Sequence, residues 1–179
     1  SNSIELASTI IYSIGVCMMF GFSALYHRVD WRSRVLIIMR RLDHSAIFVM
    51  IAGSFTPICL LVLPGNTGIQ LLFIIWIIAG IGILQTVLFT ETPRLIRAGI
   101  YLVAGYMAIP YLSVMFSVMS MTNFILTAAS GTIYTVGAIG YGFQFPDISP
   151  KYFGYHEFFH ILVSIAAVLH FIVIYSIVG

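Results

Sequence analysis

Six runs of apolar residues dominate this sequence: 4–26, 42–63, 69–89, 99–118, 124–143 and 155–178. Each has about the 20 residues that a helix needs to cross a bilayer. They leave little from which to build a hydrated surface. Only 8% of the 179 residues are charged and 60% are hydrophobic, whereas a soluble domain carries roughly 25% charged residues. No run alternates polar and apolar residues at barrel spacing, so each backbone amide has to be satisfied within its own helix. The expected fold is an all-α polytopic membrane protein, six transmembrane helices in a single bundle domain over residues 1–179. The connections are too short for a soluble module or a nucleic-acid-binding domain. The first run lacks a basic n-region and a small-residue cleavage site, so no cleavable signal peptide is expected.

The basic residues orient the bundle. Arg28, Arg32, Arg34, Arg40 and Arg41 lie between the first and second runs, Arg94 and Arg97 between the third and fourth, and Lys151 between the fifth and sixth. The remaining connections, "PGNTG" and "SMTN", carry no charge. All eight cationic side chains thus fall on one side, which the positive-inside rule makes cytoplasmic. Both visible termini are then expected outside, the protein sitting in the plasma (inner) membrane. Cys17 and Cys59 lie inside spans and are expected as free thiols.

Ionisable groups inside a bilayer are costly and by default face the bundle interior. Here they converge on one depth. His27 ends the first run, Asp43 and His44 begin the second, and His156, Glu157 and His160 begin the sixth. All stand at the cytoplasmic end. His156 and His160, four residues apart, sit about 40° apart around a helix and ~6 Å apart along it, so both can reach one ion. Ser23 and His27 repeat that spacing. Three histidines around one ion, with an open fourth position, is the composition of a catalytic zinc site. The bland reading, histidines that only hydrogen-bond between helices, suits His170 better. It lies ~15 Å beyond His160 and cannot share the ion. His44 is turned 100° from Asp43, is expected to face a different neighbour, and stays outside the ligand set. Pro57 and Pro110 are expected to kink their helices.

The stretch "YHEFFH" also satisfies the H-E-x-x-H pattern of zinc metalloproteases. Those enzymes take their third ligand downstream and use the Glu as base. No Asp or Glu follows His160, so the third ligand has to come from upstream, with His27 at the right depth. Glu157 is rotated away from the common face of the histidines.

Three segments carry a family resemblance: "SALYHR" (23–28), "RRLDHSAIFVMIAGSFTP" (40–57) and "YHEFFHILVSIAAVLHF" (155–171). Together they resemble the hemolysin III family, within the progestin and adipoQ receptor superfamily that includes the adiponectin receptors. That resemblance implies a zinc site near the cytoplasmic face with His27, His156 and His160 as ligands, and with Asp43 and Ser23 contacting the water bound to it. It implies a relation to membrane hydrolases such as alkaline ceramidases. It also implies seven spans. The segment beginning "SNSIELASTIIYSIG" corresponds to the second of these, so the first family helix is expected to be absent from this chain.

Three functions compete. One is a zinc-dependent hydrolase of a lipid amide or ester, with Asp43 as proton acceptor and Ser23 orienting water or stabilising the oxyanion. Another is a lipid-responsive receptor or sensor with structural zinc. The last is a pore-forming haemolysin, against which the crowding of polar groups at one depth argues. Membrane lipids are the expected substrate or ligand. The orientation is directly testable. In a Cys17→Ser, Cys59→Ser background, an impermeant thiol reagent applied outside intact cells should modify Gly65→Cys and spare Arg94→Cys; the reverse pattern would overturn the topology.

Overall fold

The computed structural model describes residues 2–89, 91–149 and 153–179, so Lys151 lies outside the described residues. Every apolar run becomes helix, as it must where backbone groups have no water to bond. The elements are α1 (Asn2–Arg28), α2 (Ser33–Pro57), a π-helical turn (Ile58–Val62), α3 (Gly65–Leu88), α4 (Arg94–Tyr106), a 3-10 turn (Ile109–Tyr111), α5 (Leu112–Val118), α6 (Met121–Phe143) and α7 (Tyr155–Val178). With α2 and its π turn counted as one span, and α4 to α5 as another, six segments are long and apolar enough to cross a membrane. Among the described residues there is no strand, only an isolated bridge between Ser149 and Phe153.

One boundary differs from the sequence expectation, and the two prolines break their spans as expected. α2 starts at Ser33, nine residues before the apolar run does. Arg34, Arg40 and Arg41 therefore ride on the helix, and Asp43 lies nearly three turns inside it instead of opening it. The reason is local: arginine is a good helix former, and the intervening "VLIIM" supports continuous propagation. The fourth span is interrupted, α4 ending at Tyr106 and α5 starting at Leu112. Pro110 in the intervening turn has no N–H to extend an α-helical ladder. Pro57 acts comparably. It cannot donate to the Gly53 carbonyl, and the chain continues as a π turn, the usual form of a bulge in a helix.

The chain divides into two compact units, Ser1–Glu91 and Thr92–Gly179. In the first, α2 is the middle helix, with α1 and α3 packed against it. Lipid tails are as apolar as leucine, so such helices associate through close packing rather than water expulsion, and small residues let backbones approach. A Cβ on Gly15 would sit 3.3 Å from the Met50 Cα. A Cβ on Gly82 would fall on the ring of Phe48, which is among the largest fully buried side chains. The Trp76 indole adds a hydrogen bond to the Thr56 hydroxyl at 3.1 Å.

In the second unit α6 takes the middle place, flanked by α4 and α7. Gly142 faces Leu95 and Ala98 of α4, and Gly137 and Gly140 face Phe159 and Phe158 of α7. Filling the Gly82 notch should be costly. Gly82→Leu should lower unfolding free energy in detergent by about 1–3 kcal/mol, the usual scale of overpacking. Gly80→Leu, where an added Cβ meets nothing within 4 Å, should be near neutral; equal effects would overturn the α2–α3 packing described.

Candidate metal centre

Each unit carries a cluster of the side chains singled out from the sequence. In the second, the first turn of α7 places His156 and His160 on one face. Their Nε2 atoms are 3.1 Å apart and their rings meet edge to face at 4.6 Å. The spacing of four residues produces this, because i and i+4 side chains overlie one another on a helix. The separation suits a metal. Two nitrogens bound tetrahedrally at 2.0–2.1 Å from zinc lie roughly 3.3 Å apart, so the pair could close on one ion with a shift of a few tenths of an ångström.

Glu157, between them in sequence, points elsewhere. It is exposed, and its Oε2 accepts the Gly154 backbone N–H at 2.9 Å. This is the N3-to-N-cap half of a capping box, which satisfies an orphan donor at the helix start. The H-E-x-x-H pattern therefore arises from a ligand-like pair overlaid on a helix cap. Nothing in this geometry makes Glu157 the base of a protease site.

Aromatic rings surround the pair. Tyr141 of α6 lies 6.1 Å from His156, 6.4 Å from Tyr155 and 5.2 Å from Phe159 between ring centroids. Gln144, the left-handed C-cap of α6, donates from Nε2 to the Tyr155 hydroxyl at 3.2 Å. The Arg94 guanidinium stands 5.5 Å over the Tyr155 ring. His170 belongs to a different place. It is buried, with Nδ1 3.0 Å from the Ser130 hydroxyl, the interior hydrogen-bonded role expected from its position.

In the first unit, Ser23 and His27 sit one turn apart at the end of α1, Ser23 half-buried and His27 exposed. The Tyr26 ring meets His27 edge to face at 4.6 Å and lies 6.5 Å from His44 of α2. The last turn of α1 therefore stands beside His44, well inside α2. Trp31 fixes the connection by donating from its indole N–H to the Leu25 carbonyl at 2.8 Å. Asp43 is enclosed, with a side-chain exposure of 12%, and its Oδ2 lies 3.3 Å from His44 Nδ1. The sequence expectation that these neighbours face apart is thus corrected. Rotation along a helix separates Cβ atoms, but the flexible χ angles of adjacent residues bring the two polar ends together. Arg40 pairs with Glu91 at 3.0 Å, a surface contact of small energetic weight. Cys17 and Cys59 are both free thiols.

The sequence reading passed over the aromatic neighbours. One signal was present. The dipeptide Tyr-His occurs at 26–27 and again at 155–156, and in both the tyrosine ring meets the adjacent histidine edge to face.

A family model described as haemolysin-III related matches residues 1–171. The Hemolysin-3 homolog of Bacillus subtilis (strain 168) is 32% identical over 137 residues, covering 76% of this chain and 64% of the relative. Hemolysin-3 of Bacillus cereus is 34% identical over 131 residues, 72% of this chain and 58% of the relative. The chain thus spans less than two thirds of the length of these bacterial relatives. The adiponectin receptor protein of Drosophila melanogaster is 28% identical over 192 residues, covering 96% of this chain and 43% of the relative.

Proposed function

Because this chain belongs to the haemolysin-III-related family of integral membrane proteins, we propose that it is a zinc-dependent hydrolase of a lipid amide or ester. The observation that carries the reading is the His156–His160 pair, two nitrogens at 3.1 Å at the start of a mostly apolar helix. His27 is the proposed third ligand. It alone among the remaining histidines combines an end-of-span position with an i, i+4 hydroxyl partner, Ser23. The site is proposed to open to the cytoplasmic leaflet, on the side that the basic connections mark.

When bound, zinc would polarise the scissile carbonyl and lower the pKa of water towards neutrality. The remaining steps fall to this chain. Asp43 accepts the proton of the attacking water and returns it to the departing amine or alcohol. His44, against its Oδ2, holds that carboxylate in orientation. The Ser23 hydroxyl donates to the oxygen on which negative charge develops. Lipid enters laterally between helices, which suits a substrate already dissolved in the bilayer.

The likeness to an adiponectin receptor protein favours a second reading, a lipid-responsive receptor whose zinc is structural. Two measurements separate the possibilities. Elemental analysis of the purified protein should give about one zinc per chain, lost in a His27→Ala, His160→Ala double variant; unchanged zinc there would sink the ligand assignment. Lipidomics of expressing cells then tests the chemistry. Asp43→Asn should retain zinc and lower lipid hydrolysis ~100-fold or more, the scale of losing a general base, while Glu157→Gln stays close to wild type. Full turnover in Asp43→Asn would remove Asp43 as the base, and no hydrolysis above that of non-expressing cells in the zinc-loaded wild type would leave the receptor as the better account.

A further inference from the structure

A histidine ligates tightly only when its ring is already turned to the ion, and residues that fix such rings govern metal affinity almost as strongly as the ligands. For His156 the fixing group is visible in the second unit. We propose that Tyr141 is a positioning residue that holds the His156 imidazole in its ligating orientation through ring packing, an inference that rests on the zinc reading above.

The argument begins with two glycines. At Gly137 an added Cβ would lie 3.5 Å from Phe159, and at Gly140 it would lie 3.6 Å from Phe158. The backbones of α6 and α7 are therefore close just where α7 begins. Tyr141, one turn past Gly137 on the same face of α6, is carried against the first turn of α7. It meets the residue before His156, His156 itself and the residue three after it, Tyr155 and Phe159 being the flanking two. A ring packed across all three leaves the imidazole little freedom to swing away from His160. Tyr141 is only half-buried, so its role is not that of a general core residue.

The other wall of this cradle is braced separately. Tyr155 is held by the Gln144 amide through its hydroxyl and by the Arg94 guanidinium over its face. Gln144 can reach it because it takes the left-handed conformation, φ 58, that ends α6. Both walls are thus anchored by α6 and by the residue that caps it. Tyr141 engages its neighbours with the ring, so the hydroxyl is dispensable and phenylalanine should serve as well.

The test uses the full chain in detergent, titrated with cobalt(II) and followed by its visible d–d absorption, with zinc affinity obtained by chelator competition. Tyr141→Phe should match wild type within about twofold, while Tyr141→Ala should bind metal about 10-fold more weakly, with an altered cobalt spectrum. Phe143→Ala, at a 70% exposed site, serves as the control and should bind normally. Helicity by circular dichroism checks folding, and Tyr141→Leu replaces the alanine variant if that one does not fold. Wild-type affinity in the alanine or leucine variant overturns the positioning role and leaves the zinc site standing. Phenylalanine as weak as alanine overturns the ring-packing account in favour of the hydroxyl. Absence of stoichiometric metal in wild type overturns the zinc reading, and this inference with it.

Discussion

In hydrocarbon an unpaired backbone amide costs several kilocalories per mole, and nearly everything about this chain follows from that constraint. It forces each apolar run into helix. It also removes the usual reason for helices to associate, because lipid and leucine side chains are equivalent neighbours. What remains is contact distance. The two helices that each hold a unit together, α2 and α6, are met or notched by glycine: Gly15 and Gly82 admit α2 to its neighbours, while Gly137, Gly140 and Gly142 admit α6 to α7 and α4. Side-chain hydrogen bonds such as Trp76 to Thr56 and Ser130 to His170 then add specificity where polar groups would otherwise stand unpaired.

The same constraint explains where the helices are allowed to break. Each interruption inside a span coincides with a proline: Pro57 before the π turn, and Pro110 between α4 and α5. At Pro57 the missing donor leaves the Gly53 carbonyl without its N–H from one turn on, while hydrogen bonds on either side of that point are kept. The Thr56 hydroxyl bonds the Ala52 carbonyl at 2.7 Å, and the Leu63 N–H returns to the Ile58 carbonyl at 3.0 Å. The irregular turn is also buried at its start, at Ile58 and Cys59. Irregular backbone at membrane depth survives on those terms.

Span number and helical class were legible because apolar length is a first-order signal, needing only composition over about 20 residues. The start of α2 was not. Apolarity marks what can enter a membrane, whereas a helix ends where capping and propensity end it, and Ser33–Arg41 has no breaker. That difference moved Asp43 inward, while its contact with His44 was missed because backbone rotation alone does not say where two adjacent side chains end. The His156–His160 pair was legible because i, i+4 geometry is local. Tyr141 was not, since it comes from another helix. With 14 Phe and 10 Tyr in the sequence, one more ring fifteen residues before a histidine carries no signal until α6 and α7 are seen in contact.

The carboxylates show how environment, rather than motif, selects chemistry. Glu157 has the sequence context of a metalloprotease base, yet it is exposed and its Oε2 is engaged by the Gly154 amide. That bond holds the carboxylate at the helix start, where it serves as a cap. Asp43 lies outside the H-E-x-x-H stretch, but it is enclosed at 12% exposure and its Oδ2 lies 3.3 Å from His44 Nδ1. A general base has to be held, partly desolvated, and able to pass its proton on. Of the two carboxylates Asp43 is the enclosed one, and for that reason it, and not Glu157, is the proposed proton acceptor.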